Sequence, residues 1–98
     1  MKYIIIIQEL AKKDLLNVFD YIYYILKNPI SAKRIGNYII NSIDSLSDNP
    51  YRHRVIINNI RFLKVKNFII YYYVNNEIVY VLRILGNKQQ FNYYDVLN

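Results

Sequence analysis

NIRFLKVKNFIIYYYVNNEIVYVLRIL, Asn59 to Leu85, holds three β-prone runs in close succession: Ile60–Lys66, Phe68–Val74 and Ile78–Leu85. Isoleucine, valine, tyrosine and phenylalanine dominate them, the residues that fit a pleated, half-buried surface. Asn75-Asn76 separates the last two runs, and asparagine tolerates the positive φ of a two-residue hairpin turn. The first two runs are joined as tightly, around Asn67. Links this short join only antiparallel neighbours, because parallel strands need a crossover of about a dozen residues or more. The stretch predicts a three-stranded meander.

Alternation along the strands adds a second inference. In the third run Ile78, Tyr80, Leu82 and Ile84 would share one face, and Val79, Val81, Arg83 and Leu85 the other. In the second, Phe68, Ile70, Tyr72 and Val74 oppose Ile69, Tyr71 and Tyr73. Neither strand has a polar face, whereas an antiparallel sheet with one wet face alternates apolar and polar. Both faces are expected to be covered, at least at the centre of the sheet.

Working outward, Lys2–Ile7 is a short β-branched run and predicts a first strand on an edge of the meander. From Gln8 or Glu9 to Lys27, the residues Ala11, Leu15, Val18, Ile22 and Ile25 recur at helical spacing. Asn28-Pro29 stops that helix and starts another, asparagine as N-cap and proline at the first helical position. The second stripe is Ala32, Ile35, Ile39, Ile43 and Leu46, ended by Ser47-Asp48-Asn49-Pro50. Two helices on so short a link form an antiparallel hairpin. Tyr51–Asn59 reads as a polar, basic loop or edge segment, and Gly86–Asn98 as a tyrosine-bearing tail. The expected fold is α+β, in the order β-α-α-β-β-β. An antiparallel helical hairpin packs on one face of a small four-stranded antiparallel sheet. The other face would stay open, an apolar surface with a basic rim that fits a binding partner.

The chain's 98 residues are expected to form one domain, 1–98. It has no cysteine and one histidine, His53, so no metal cluster or other cofactor is expected. Tyr3–Ile7 is too short to span a bilayer, and a cytoplasmic protein with no membrane partner is the default. The net charge of +6 is uneven. Residues 1–50 carry six basic and five acidic side chains, net +1; residues 51–98 carry seven against two, net +5. The basic excess lies on and around the sheet and fits a polyanion or an acidic protein.

The order and spacing of these motifs resemble the RelE/ParE superfamily, the small toxins of bacterial type II toxin–antitoxin modules. Ala11–Ile22 looks like that family's first helix, with its A-x-x-D-L and Y-I signals. Ser31–Pro50 looks like the second helix, Ile60–Val74 like its hairpin, and Val79–Leu97 like its last strand and basic tail. The resemblance implies a microbial-RNase-like fold and a cognate antitoxin that wraps the toxin, giving a hetero-oligomer; a homodimer through the sheet is the structural rival. It also implies one of two activities: RelE-like members cut mRNA in the ribosomal A site, and ParE-like members poison DNA gyrase.

The mRNA-cleaving activity, that of a metal-independent endoribonuclease, needs cations for the transition-state phosphate and a group to position or move a proton. By the resemblance, Lys64 and Lys66 match a K-x-K pair on the first meander strand. Lys88 follows Gly86 where the family often has arginine, and Tyr94 takes the place of a tail tyrosine. Arg52, Arg54, Arg61 and Arg83 are the candidate nucleic-acid contacts. Ribosome-dependent mRNA cleavage is the reading these positions favour. Ile69 stands where the family's hairpin arginine would fall, which favours the gyrase-directed alternative or an inactive homologue that acts only as an interaction partner.

Overall fold

The computed structural model describes residues 2–96. The element order is β1 (Ile4–Ile7), α1 (Glu9–Asp20), α2 (Pro29–Ser45), β2 (Arg54–Ile57), β3 (Ile60–Val65), β4 (Phe68–Asn75) and β5 (Ile78–Gly86). A short 3-10 turn covers Pro50–Arg52, and another, Tyr93–Val96, lies in the tail. Two helices pack on one face of a mixed sheet, the expected α+β class. Leu97, inside the stretch that resembles the family's tail, lies outside the described residues.

The helical hairpin forms for the reasons its sequence gives. Asn28 caps α2, its Oδ1 accepting from the Ser31 N–H at 3.1 Å, and Pro29 opens the helix. α1 does not stop at Asp20 but runs on through a π-helical turn, Tyr21–Ile25. Lys27, at φ 52°, then reverses the chain. The buried stripes of the two helices meet β3, β4 and β5 in one core of Ala11, Ile39, Ile43, Val65, Ile70, Val81 and Ile84. A second cluster extends it through Leu46, Tyr72 and Val79.

The sheet departs from the expected one in three ways. It has five strands, in the order β1-β5-β4-β3-β2. The extra strand is β2, which came from the basic segment read as loop or edge. Asn58 and Asn59, at φ 45° and 67°, turn it back onto β3. The sheet is also mixed rather than antiparallel, because β1 pairs with β5 in parallel, Ile4 beside Ile78 and Ile7 beside Val81. These two strands are joined through the whole molecule, so no hairpin constrains their relative direction. Lastly, the β4–β5 turn is Asn76-Glu77, one residue beyond Asn75-Asn76, with Asn76 at φ 56°.

A bulge in β5 corrects the expected faces. Tyr72 pairs with Val81 and Tyr71 with Arg83, leaving one extra β5 residue between them. Val79 and Val81 therefore face the helices, and after the bulge Ile84 does so, whereas Tyr80, Leu82 and Leu85 join the opposite face. That opposite face is not open throughout. Phe91, Tyr93 and Val96 of the tail pack on Ile60, Tyr71, Leu82 and Leu85. Phe91 stacks on Tyr71 with ring centroids 4.3 Å apart.

Candidate functional site

One end of the sheet gathers three of the sequence-predicted lysines. The β3–β4 turn is Lys66-Asn67, and the Asn87 N–H donates to the Asn67 carbonyl at 2.8 Å, which brings the segment carrying Lys88 against that turn. Lys64 lies two residues before the turn, exposed on β3. Lys66 does not lie on the strand with Lys64 as expected, since β3 ends at Val65. It occupies the turn itself at φ 56°, and its Nζ stands 4.3 Å from the centroid of the Tyr38 ring on α2. Lysine is not a turn former, so this position gave no signal in the sequence. Tyr94 is 76% exposed in the tail, while its neighbour Tyr93 packs on the sheet.

The four arginines divide by partner. Arg61 donates from Nη1 to the carbonyls of Tyr51 (2.9 Å) and His53 (2.6 Å), and its guanidinium lies over the Tyr51 ring at 5.1 Å. It anchors the segment that leads into β2, helped by Tyr72, whose hydroxyl donates to the Pro50 carbonyl at 2.6 Å. Burial of Tyr72 pushes its hydroxyl pKa up to about 12. Arg52 donates from Nε to His53 Nε2 at 3.3 Å. That bond needs His53 neutral at Nε2, in accord with a pKa lowered by partial burial and by the charges of Arg52 and Arg61. Arg52, His53, Arg54 and Lys64 together line a shallow basic depression beside β2.

Arg83 is held inside the fold. Its Nε and Nη2 donate to the two carboxylate oxygens of Asp14 at 2.7 and 2.9 Å, and Nη1 reaches Asp95 at 3.2 Å. The Asp14 hydrogen bond, with the two carboxylates' charge, raises the Arg83 pKa further. Asp14 also accepts from the Ile84 N–H at 2.9 Å. β1 ends beside Val81, so this N–H lies on a β5 edge that no strand covers, and the α1 carboxylate takes the place of a strand carbonyl. Asp14 is the aspartate of the A-x-x-D-L signal. The sequence marked it but not its partner, which lies 69 residues on.

A second surface was not anticipated. Leu16, Phe19 and Tyr23 form a second apolar stripe on α1 and its π-helical turn, beside the buried one, at 63%, 37% and 38% exposure. With Ile40, Lys33 and Gly36 of α2, Leu16 and Phe19 border an apolar groove of about 310 Å³ between the helices. Gly36 leaves open space, with nothing within 4 Å of where a side chain would start. Beyond the groove, the hairpin tip exposes Tyr24, Ile25, Leu26 and Ile30. The spacings 16, 19 and 23 repeat a helical period, and that was the signal available in the sequence.

Solved structures share this fold. A chain of the chromosomal ParDE TA system from P. aeruginosa superposes with a TM-score of 0.76 at 19% identity, covering 87% of this chain and 96% of that one. A chain of the toxin–antitoxin complex RelBE2 from Mycobacterium tuberculosis gives 0.62 at 18% identity, covering 88% and 99%. No curated protein sequence matches the chain. The family model of the ParE toxin of the type II toxin–antitoxin system, parDE, matches residues 5–91. The chain belongs to that toxin family, within the RelE/ParE superfamily. No helix among the described residues is long and apolar enough to cross a membrane.

Proposed function

We propose that this chain inhibits growth by binding a protein target, DNA gyrase, and that an antitoxin neutralises it by docking along the outer face of the helical hairpin. The observation that carries this reading is the second apolar stripe, Leu16, Phe19 and Tyr23, exposed beside the groove at Gly36 and Ile40. An unpartnered helical face of this kind fits a helix laid into a groove. Lys33 lines the groove, and Lys12 and Lys13 lie one turn before Leu16 on α1, a charge that matches an acidic amphipathic helix. Ile69, where a cleaving relative would carry arginine, packs in the apolar cluster beneath the tail. Arg61 already donates from Nη1 to two carbonyls, and Arg83 is held by Asp14 and Asp95, so both serve structural contacts.

The mRNA-cleaving reading keeps one specific support: Lys64, Lys66 and Lys88 lie at one end of the sheet. Induction of the chain in a bacterium lacking its antitoxin separates the two. DNA breaks and an SOS response with intact mRNA are the expected result. Cuts at A-site codons that disappear in Lys88→Ala would replace it with the endoribonuclease reading. Normal growth would leave a chain that acts only as an interaction partner.

A further inference from the structure

β1 ends the sheet, and only β5 lies beside it. The Ile4 N–H donates to the Glu77 carbonyl at 2.8 Å and the Gln8 N–H to the Val81 carbonyl at 2.9 Å. Along a strand in a parallel pair, alternate residues turn their backbone groups to the same neighbour. Ile6 therefore also faces β5, and Ile5 and Ile7 turn their N–H and C=O groups outward. Tyr3 is the next outward residue, but the Ser47 carbonyl already takes its N–H at 2.9 Å. The free edge is thus Ile5 to Ile7.

The opposite edge differs. β2 carries Arg54 and a bulge between Val55 and Ile57, and charge and bulges both discourage strand addition. β1 has neither device. It is four isoleucines, with Ile4 and Ile6 exposed at 60% and 40% on the face away from the helices.

We propose that β1 is a homodimer interface: two copies pair their β1 strands antiparallel about a two-fold axis at Ile6, joining two five-stranded sheets into one. The backbone directions fix the register. Opposed residues in an antiparallel pair both point toward each other or both away. Ile5 opposite Ile7 of the second copy, and Ile7 opposite Ile5, supply four N–H···O=C bonds. Ile6 then stands opposite its own copy as a pair without backbone bonds. The alternative register, Ile5 opposite Ile5, would draw in Tyr3, which Ser47 engages. Charge favours a second copy over a foreign strand. Lys2 precedes β1 and Glu9 follows it, each exposed and held only by a surface ion pair, to Asp48 and to Lys12, contacts that exchange for others at little cost. The two-fold brings each copy's lysine toward the other's glutamate end, whereas a uniformly acidic or basic strand would meet a like charge at one end. This interface is separate from the helical hairpin and does not depend on how the chain inhibits growth.

Sedimentation of the purified full chain across a concentration series should show a reversible species of twice the 11.9 kDa of one chain, and Ile6→Lys should sediment as a monomer with an unchanged circular dichroism spectrum. The chain has no cysteine, so oxidation of Ile6→Cys tests the register directly. Opposed Cα atoms in a pair without backbone bonds lie about 4.5 Å apart, within the reach of a disulfide. Ile6→Cys should crosslink to a covalent dimer and Ile4→Cys should not. A monomer at every concentration, a dimer that survives Ile6→Lys, or crosslinking through Ile4→Cys instead of Ile6→Cys would each overturn the proposal.

Discussion

The two faces of the sheet are built from the same residue types and by different means. On the helix face, Ile70, Val79, Val81 and Ile84 are at most 1% exposed beneath two helices. On the other, tyrosines and isoleucines lie under a short tail that covers only part of them, Tyr73 and Tyr80 stacking in the half-exposed remainder at 4.9 Å. Both faces bury apolar side chains, but one lies under two helices and the other under a partial cover, tied down by Arg83 to Asp95 at an exposed end. Composition alone does not decide which face is core; the cover does.

Adjacent residues of β4 give the strongest contrast. Ile70→Ala on the helix face should cost about 4 kcal/mol, in the range for burying a cavity in a packed core, read as the drop in urea unfolding free energy. Ile69→Ala, one residue away under the tail, should cost about 1 kcal/mol, because the half-buried site can collapse. Equal losses would show that the tail packs as firmly as the helices.

Asp14→Ala comes next, at about 3 kcal/mol, since it strips a largely buried guanidinium of its main partner and leaves the Ile84 N–H unpaired. Its thermal midpoint should fall well below that of Asp95→Ala. The Asp95 carboxylate is 44% exposed, and its loss should cost under about 1 kcal/mol. Amide exchange in Asp95→Ala should rise at Tyr71 and Leu82 while Ile70 and Val81 stay protected, loosening one face alone.

Tyr72→Phe should cost about 1–2 kcal/mol through the Pro50 carbonyl it leaves unpaired. The same tyrosine sets an alkaline limit. Its folded pKa of about 12 lies above the unfolded value of 10, so the folded state favours the neutral phenol. That contribution is complete below pH 10 and is lost as pH rises toward 12. Unfolding curves of the parent chain should weaken in that window, and those of Tyr72→Phe less so.

The smallest effect expected is at His53. Its folded pKa lies below the unfolded 6.5, so its contribution is present above pH 6.5 and is lost as pH falls through the lower folded value. His53→Gln should flatten a slight acid-side slope in the thermal midpoint, measured between pH 7 and pH 5.

What could be read from the sequence was local. The 3.6-residue stripes through Ala11–Ile22 and Ala32–Leu46 and the runs Ile60–Lys66, Phe68–Val74 and Ile78–Leu85 are set by neighbours in the chain. Both helices and all three meander strands formed within a few residues of those bounds. Distant partners were not legible. β2 was hidden because Arg52-His53-Arg54 reads as loop, although Asn58-Asn59 carried a turn signal. Nothing near Ile4–Ile7 says that β5 will receive it in parallel, and nothing near Arg83 announces Asp14. At the candidate site the lysines were visible, but the placement of Lys66 in a turn over Tyr38 depends on α2. The outer stripe of Leu16, Phe19 and Tyr23 was legible and was eclipsed by the stronger buried stripe beside it.

The pairing of β1 with β5 bears on how the chain is made. Residues 4–7 lie beside residues 78–81, so the first strand synthesised is the last to gain its neighbour. Contacts of such separation slow folding, because a long loop must close before they form. On the ribosome, β1 and the two helices emerge with no sheet to receive them. The core joining Ile39, Ile70 and Val81 cannot close until β5 has left the tunnel. For a toxin, this timing keeps the finished surface absent until β5 has been made. An antitoxin already in the cell would meet the chain at the moment it folds.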